Sequence, residues 1–170
     1  VSALAGSLAA SLTAMVANLT IGKKKWLHLY DQMCDISEQA QLLKENLLSL
    51  IDADTEAFNH VLDAYRMPQK TKGQKSQREK SIEEAIKHAS DIPFKTLKCC
   101  CEIMYYIQKV AENGNSNSIS DVGVGAEMAF AGAQGAALNV MINLKEIMDI
   151  EYCNEIQKQV DTLLKEINTV

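Results

Sequence analysis

Gly114-Asn115-Ser116-Asn117-Ser118-Ile119-Ser120-Asp121, running into the charge-poor stretch Val122 to Leu144, decides how the rest of the chain is read. Gly114 suits the end of one helix and Ser120 the N-cap of the next, and Asp121 sets a carboxylate in the positive first turn. Beyond the cap, Asp121, Gly125, Ala129, Gly132, Ala136, Asn139 and Asn143 recur at spacings of three and four, so all of them fall on one helix face. That face is nearly bare backbone with polar groups at both ends. A helical glycine costs roughly 1 kcal/mol relative to alanine, so repeated glycines imply that another helix or a flat ligand comes close. Helix packing alone would account for the glycines and alanines. The two asparagines ask for more, because a buried amide needs hydrogen-bond partners.

A complementary segment stands at the start of the sequence. Residues 1 to 22 carry no charge, yet Ser2, Ser7, Ser11, Thr13, Asn18 and Thr20 make the run polar and alanine-rich, and no basic segment precedes it. A membrane span and a secretory signal are therefore not expected. Gly6, Ala10, Ala14 and Ala17 give this helix a small face whose natural partner is the small face of 121–147. Helices are expected at 1–21, 27–66 with a possible break, 75–90, 93–112, 121–149 and 151–168, with Asp91-Ile92-Pro93 as a boundary. Short connections make neighbours antiparallel, and the fold class is all-α, an up-and-down helical bundle forming one domain over 1–170. The composition agrees, with 47% hydrophobic residues, eight glycines and two prolines in 170 residues.

The long second helix offers the sharpest chemical clue. Met33, Ile36, Ala40, Leu43, Leu47, Ile51, Asp54, Phe58, Val61 and Tyr65 repeat at three and four residues and mark a seam in which Asp54 is the charged member. A carboxylate in such a seam must be paired, hydrogen-bonded or protonated, which makes it a functional candidate; capping another helix or pairing with a lysine is the structural alternative. Asp52, Glu56, Asn59 and Asp63 lie on a different, solvated stripe. The net charge of −5 argues against nucleic acid as the main partner. Lys23-Lys24-Lys25 suits a helix C-terminus or an anionic substrate tail, and the basic run Lys70 to Lys80 reads as a solvated loop and helix start. Cysteines 34, 99, 100, 101 and 153 and histidines 28, 60 and 88 show no metal-ligand spacing. No metal is expected, and the thiols read as core residues of a cytoplasmic, reducing environment.

Four stretches, taken together, resemble one family. They are Ser2-Ala3-Leu4-Ala5-Gly6-Ser7-Leu8 through Gly22-Lys23-Lys24, then Leu50-Ile51-Asp52-Ala53-Asp54-Thr55-Glu56-Ala57-Phe58, then Tyr65-Arg66-Met67-Pro68, then Ser120 to Ala126 with Gly135 to Leu144. In order and over almost the whole chain they are similar to the cyclodeaminase half of formimidoyltransferase-cyclodeaminase and its stand-alone relatives, among them methenyltetrahydrofolate cyclohydrolases. The family usually carries a Gly-Gly-Gly-Ser stretch ahead of the position of Val1, and the sequence as given starts after it.

The resemblance implies closure of 5-formiminotetrahydrofolate to 5,10-methenyltetrahydrofolate with release of ammonia, with the folate as substrate and no permanently bound cofactor. Because the folate's own anilino nitrogen attacks, the enzyme has to supply alignment and proton transfer. Asp54 or Asp121 would carry the proton, Asn139 and Asn143 would hold the pterin edge, and Ser118 and Ser120 would orient the loop. Lys24 or Arg66 would meet the carboxylates of a glutamate tail, single or polyglutamylated. Along one helix Asp121 and Asn139 stand about 27 Å apart, so they serve either two ends of a long ligand or a site shared across the symmetric homodimer that the resemblance implies, with the small-residue faces as contact surfaces. The chain has no room for a transferase domain, and a formimidoyltransferase partner would be a separate unit. Hydrolysis of methenyltetrahydrofolate to the 10-formyl compound is the nearest alternative, and a non-catalytic helical assembly module the alternative of another class.

Overall fold

The computed structural model describes residues 1–169. Its helices are α1 (Ser2–Ile21), α2 (Tyr30–Arg66), α3 (Lys72–Asn113), α4 (Ile119–Leu144) and α5 (Ile150–Ile167), with short 3-10 turns at Lys24–Leu29 and Ser116–Ser118 and no strand among the described residues. The first four run up and down around one core, and α5 lies against α3 and α4. The expected all-α bundle is what forms.

The core is organised around close helix contact. Gly6, Ala10, Ala14 and Ala17 of α1 are buried, as are Gly125, Ala129, Gly132 and Ala136 of α4, and the two faces meet. A Cβ on Gly132 would stand 2.9 Å from Cys100 Sγ and 3.0 Å from the Ser2 carbonyl; one on Gly6 would stand 2.8 Å from the same sulfur. Only bare backbone permits this crossing. The hydroxyls that dilute the hydrophobicity of α1 are satisfied within the helix: Thr13 donates to the Ala9 carbonyl and Thr20 to that of Val16, both at 2.8 Å. By length and composition α1 could cross a membrane, but half of its apolar window is buried inside the protein.

Three expectations need correction. First, Pro93 does not end a helix: α3 is continuous for 42 residues, with Ile92, Pro93, Phe94 and Leu97 all buried. A proline removes one N–H and crowds the preceding turn, and here packing on both sides carries the helix through. Second, Ser120 is not the cap of α4. Ser118 holds the N-cap position without a side-chain cap bond, and Ser120 lies in the first turn. The helix also stops at Leu144 and not at 149, and Asp149 instead caps α5 by accepting from the Tyr152 N–H at 3.1 Å. Third, the buried seam of α2 is Met33, Ile36, Ala40, Leu43, Leu47, Leu50, Ala57 and Ala64. Ile36, Leu43, Leu50, Ala57 and Ala64 keep a strict seven-residue step, whereas the expected seam moved one residue ahead at Ile51. Phe58 and Tyr65, 60% and 44% exposed, lie just outside it.

Candidate functional site

That offset creates a cleft. With small Ala57 and Ala64 turned inward, α2 presents the adjoining residues to a groove shared with the middle of α3 and the C-terminal half of α4. A cavity of about 440 Å³ is walled by Asp54, Phe58, Tyr65, Pro93, Asn139 and Asn143, with Glu146 at its margin. A smaller one of about 210 Å³ continues along Asp54, Thr55, Pro93, Thr96 and Asn139 to Ser2 at the start of α1. Asp54, Pro93 and Asn139 belong to both, so the two spaces share a wall.

The polar groups of the cleft are differently held. Asn143 donates its Nδ2 to the Ala89 carbonyl at 3.1 Å. The Tyr65 hydroxyl donates to Glu146 Oε2 at 3.1 Å, and burial, reinforced by that carboxylate, pushes the phenol above its usual range. It is a neutral donor at physiological pH. Arg78 donates from Nε and Nη2 to the Tyr65 carbonyl at 3.3 and 3.0 Å, tying the start of α3 to the end of α2. Beside the cleft, Lys87 Nζ meets Asp149 Oδ2 at 2.7 Å, and the Tyr152 hydroxyl donates to Asp91 Oδ1 at 3.3 Å, which clamps α5 onto α3.

Of the residues singled out from the sequence, Asp54, Asn139 and Asn143 come together here. Asp54 does so as an exposed cleft carboxylate, not as a buried one: the seven-residue step of α2 leaves it outside the core. Arg66 follows Tyr65 at the end of α2, 74% exposed and paired with Asp63 at 3.1 Å. Asp121, Ser118 and Ser120 sit at the other end of α4, about 27 Å from Asn139 along the axis. Lys24 is exposed in the turn after α1, four residues beyond Thr20, whose hydroxyl accepts from the Asn115 N–H at 2.9 Å. These residues therefore form two groups that one chain cannot bring to one small ligand.

Sequence reasoning missed Glu146, Pro93 and Thr96, and it placed Phe58 and Tyr65 in the core. Glu146 had a signal, since 139, 143 and 146 continue the spacing of three and four. Phe58 and Tyr65, one heptad apart, each follow an alanine. Among the described residues no group of three His, Cys, Asp or Glu is placed to hold a metal ion. Burial pushes the thiols of Cys100 and Cys101 up to about 12, so both are protonated at neutral pH.

Comparison with known proteins bears on this geometry. The family model described as formiminotransferase-cyclodeaminase matches residues 1–162. A methenyltetrahydrofolate cyclohydrolase from Methylorubrum extorquens is 40% identical over 164 residues, which cover 96% of this chain and 79% of that protein. The formimidoyltransferase-cyclodeaminase of Rattus norvegicus is 30% identical over 169 residues, 99% of this chain but 31% of the relative, so the chain spans about a third of that protein. Among solved structures, formiminotetrahydrofolate cyclodeaminase from Thermotoga maritima matches with a TM-score of 0.80 and 28% identity, over 99% of this chain and 83% of the other. Sequence and fold agree along nearly the full length, and the chain belongs to the formiminotransferase-cyclodeaminase family.

Proposed function

We propose that the protein is a formimidoyltetrahydrofolate cyclodeaminase working in the Asp54–Asn139–Asn143 cleft. The observation that carries this reading is the whole-chain structural match to a formiminotetrahydrofolate cyclodeaminase. In the reaction N10 of the folate attacks the formimino carbon and a C–N bond forms; the N10 proton is then passed to the exocyclic nitrogen, whose C–N bond breaks as it leaves as ammonia. Alignment of N10 with that carbon supplies much of the acceleration. Asp54 faces the cleft from the solvent side and relays the proton. Asn139 and Asn143 hold the pterin edge, and Arg66, near the rim, meets the carboxylates of a glutamate tail, polyglutamylated or not. The reaction needs the folate substrate and no resident cofactor.

Asp121, Ser118, Ser120 and Lys24 join this site only across a homodimer. The small faces of α1 and α4 are already used within the chain, which corrects the expectation that they form the subunit contact. The dimer instead uses the exposed apolar stripe Leu4, Leu8, Met15 and Leu19 of α1. A cytoplasmic protein, with a formimidoyltransferase as the source of its substrate, completes the reading.

The 40% identical cyclohydrolase favours a second reading, in which water attacks the methenyl carbon in the same cleft and 10-formyltetrahydrofolate results. A paired assay with 5-formiminotetrahydrofolate and 5,10-methenyltetrahydrofolate, following methenyl absorbance and ammonia together, separates them. Ammonia release with a rising methenyl signal is the expected result. Catalysed methenyl loss without ammonia establishes the cyclohydrolase, and inactivity on both with no folate binding leaves a non-catalytic helical module.

A further inference from the structure

Pro93 lies inside α3 and has no N–H, so the carbonyl of Ala89, four residues earlier, lacks its intrahelical donor. The nearby hydroxyls do not replace it: Ser90 donates to the Ile86 carbonyl at 3.0 Å and Thr96 to that of Ile92 at 3.2 Å. The donor comes instead from α4, where Asn143 Nδ2 reaches the Ala89 carbonyl at 3.1 Å. A carbonyl has no hydrogen to give, so the amide nitrogen of Asn143 must face Ala89 and Oδ1 must point away. Among the described residues no donor meets Oδ1, and no buried side-chain nitrogen or oxygen is left without a partner. Oδ1 is therefore accessible, and the space that Asn143 lines is the cleft.

We infer that Pro93 is a positioning residue that fixes the orientation of the Asn143 amide, so that the cleft presents a fixed acceptor oxygen and selects planar heterocycles offering an N–H edge. With an ordinary residue at 93 the Ala89 carbonyl would bond within the helix, and the amide would be free to turn and present either face. The match to a pterin, whose ring carries such N–H donors, rests on the folate reading above. The orientation itself does not.

The test compares wild type with Pro93→Ala, Asn143→Asp and the double variant, all as the full chain. Pro93→Ala raises Tm, because a proline leaves a helix interior. It also removes the slow exchange of the Asn143 side-chain NH2 protons seen by 15N NMR, and raises KM for 5-formiminotetrahydrofolate by about three- to tenfold, the scale of one hydrogen bond, with kcat nearly unchanged. The gain in Tm is larger in the Asn143→Asp background, where the Ala89 carbonyl has no other donor. Equal gains in the two backgrounds, an unaltered Asn143 amide in Pro93→Ala, or an unchanged KM overturns the inference. Should Asn143→Asp not fold, the amide signal and the KM of Pro93→Ala decide alone. A wild type inactive on both folates sinks the folate reading while NMR and Tm still decide the orientation; an active wild type with no coupling sinks the orientation alone.

Discussion

The two ends of α4 carry similar residues put to different uses. At the N-terminal end Asn115 and Ser118 are buried, and the Thr20 hydroxyl closes the junction by accepting from Asn115 while donating to Val16. At the C-terminal end Asn139, Asn143 and Glu146 open onto a cavity with Asp54 across it. At the first end Asn115 and Thr20 are engaged within the chain, and at the other the Asn143 Oδ1 and the Asp54 carboxylate remain available to a ligand. The presence of an asparagine therefore says less about function than which of its bonds are already made.

The largest test sets one end against the other. Asp54→Asn is expected to lower turnover by about 10²- to 10⁴-fold, the range for loss of a general acid or base, while Tm stays nearly unchanged because the side chain is exposed. Asp121→Asn should lower it far less, and equal losses in steady-state assays would show that the two ends meet across a subunit interface. Next is the crossing that both ends share: Gly132→Ala should destabilise by about 1–3 kcal/mol through overpacking against Cys100 and Ser2, read by urea unfolding. Thr20→Val leaves the Asn115 N–H without its acceptor at the closed end. About 1–2 kcal/mol of stability should go with KM untouched, whereas a raised KM would mean that the closed end also serves the ligand.

The smallest effect is on pH dependence at the open end. The Lys87 ammonium, with the Tyr152 N–H, holds the Asp149 carboxyl below its ordinary 3.8. Its contribution to docking α5 is present above that value and is lost as the pH falls through the depressed one. Burial, then Asp91, pushes the Tyr152 phenol up to about 12 from 10.0, so that contribution is full below 10 and lost as the pH rises through about 12. Tyrosine absorbance and thermal unfolding across this range check both arms.

The sequence made the small-residue faces of α1 and α4 legible, because alanine and glycine at spacings of three and four have few other uses in a helix. It also made Asn139 and Asn143 stand out as polar groups that the packing of a bare face does not use. The seam of α2 was readable to Leu47 and not beyond. Spacings of three and four fit both continuations from there, and large Phe58 and Tyr65 outweighed the small Ala57 and Ala64 that are buried. Asp54 was thus singled out as a buried carboxylate, whereas it is exposed and lines the cleft. Pro93 was read by its local cost, which a donor from a distant helix offsets. No window of α3 alone contains that donor.

Cys100 places its sulfur against the positions where Gly6 and Gly132 would carry a Cβ. For inheritance this makes three positions, far apart in sequence and on three helices, a single character. A lineage can enlarge position 132 only after position 100 has shrunk and the first turn of α1 has shifted, so the order in which substitutions arrive decides which of them survive.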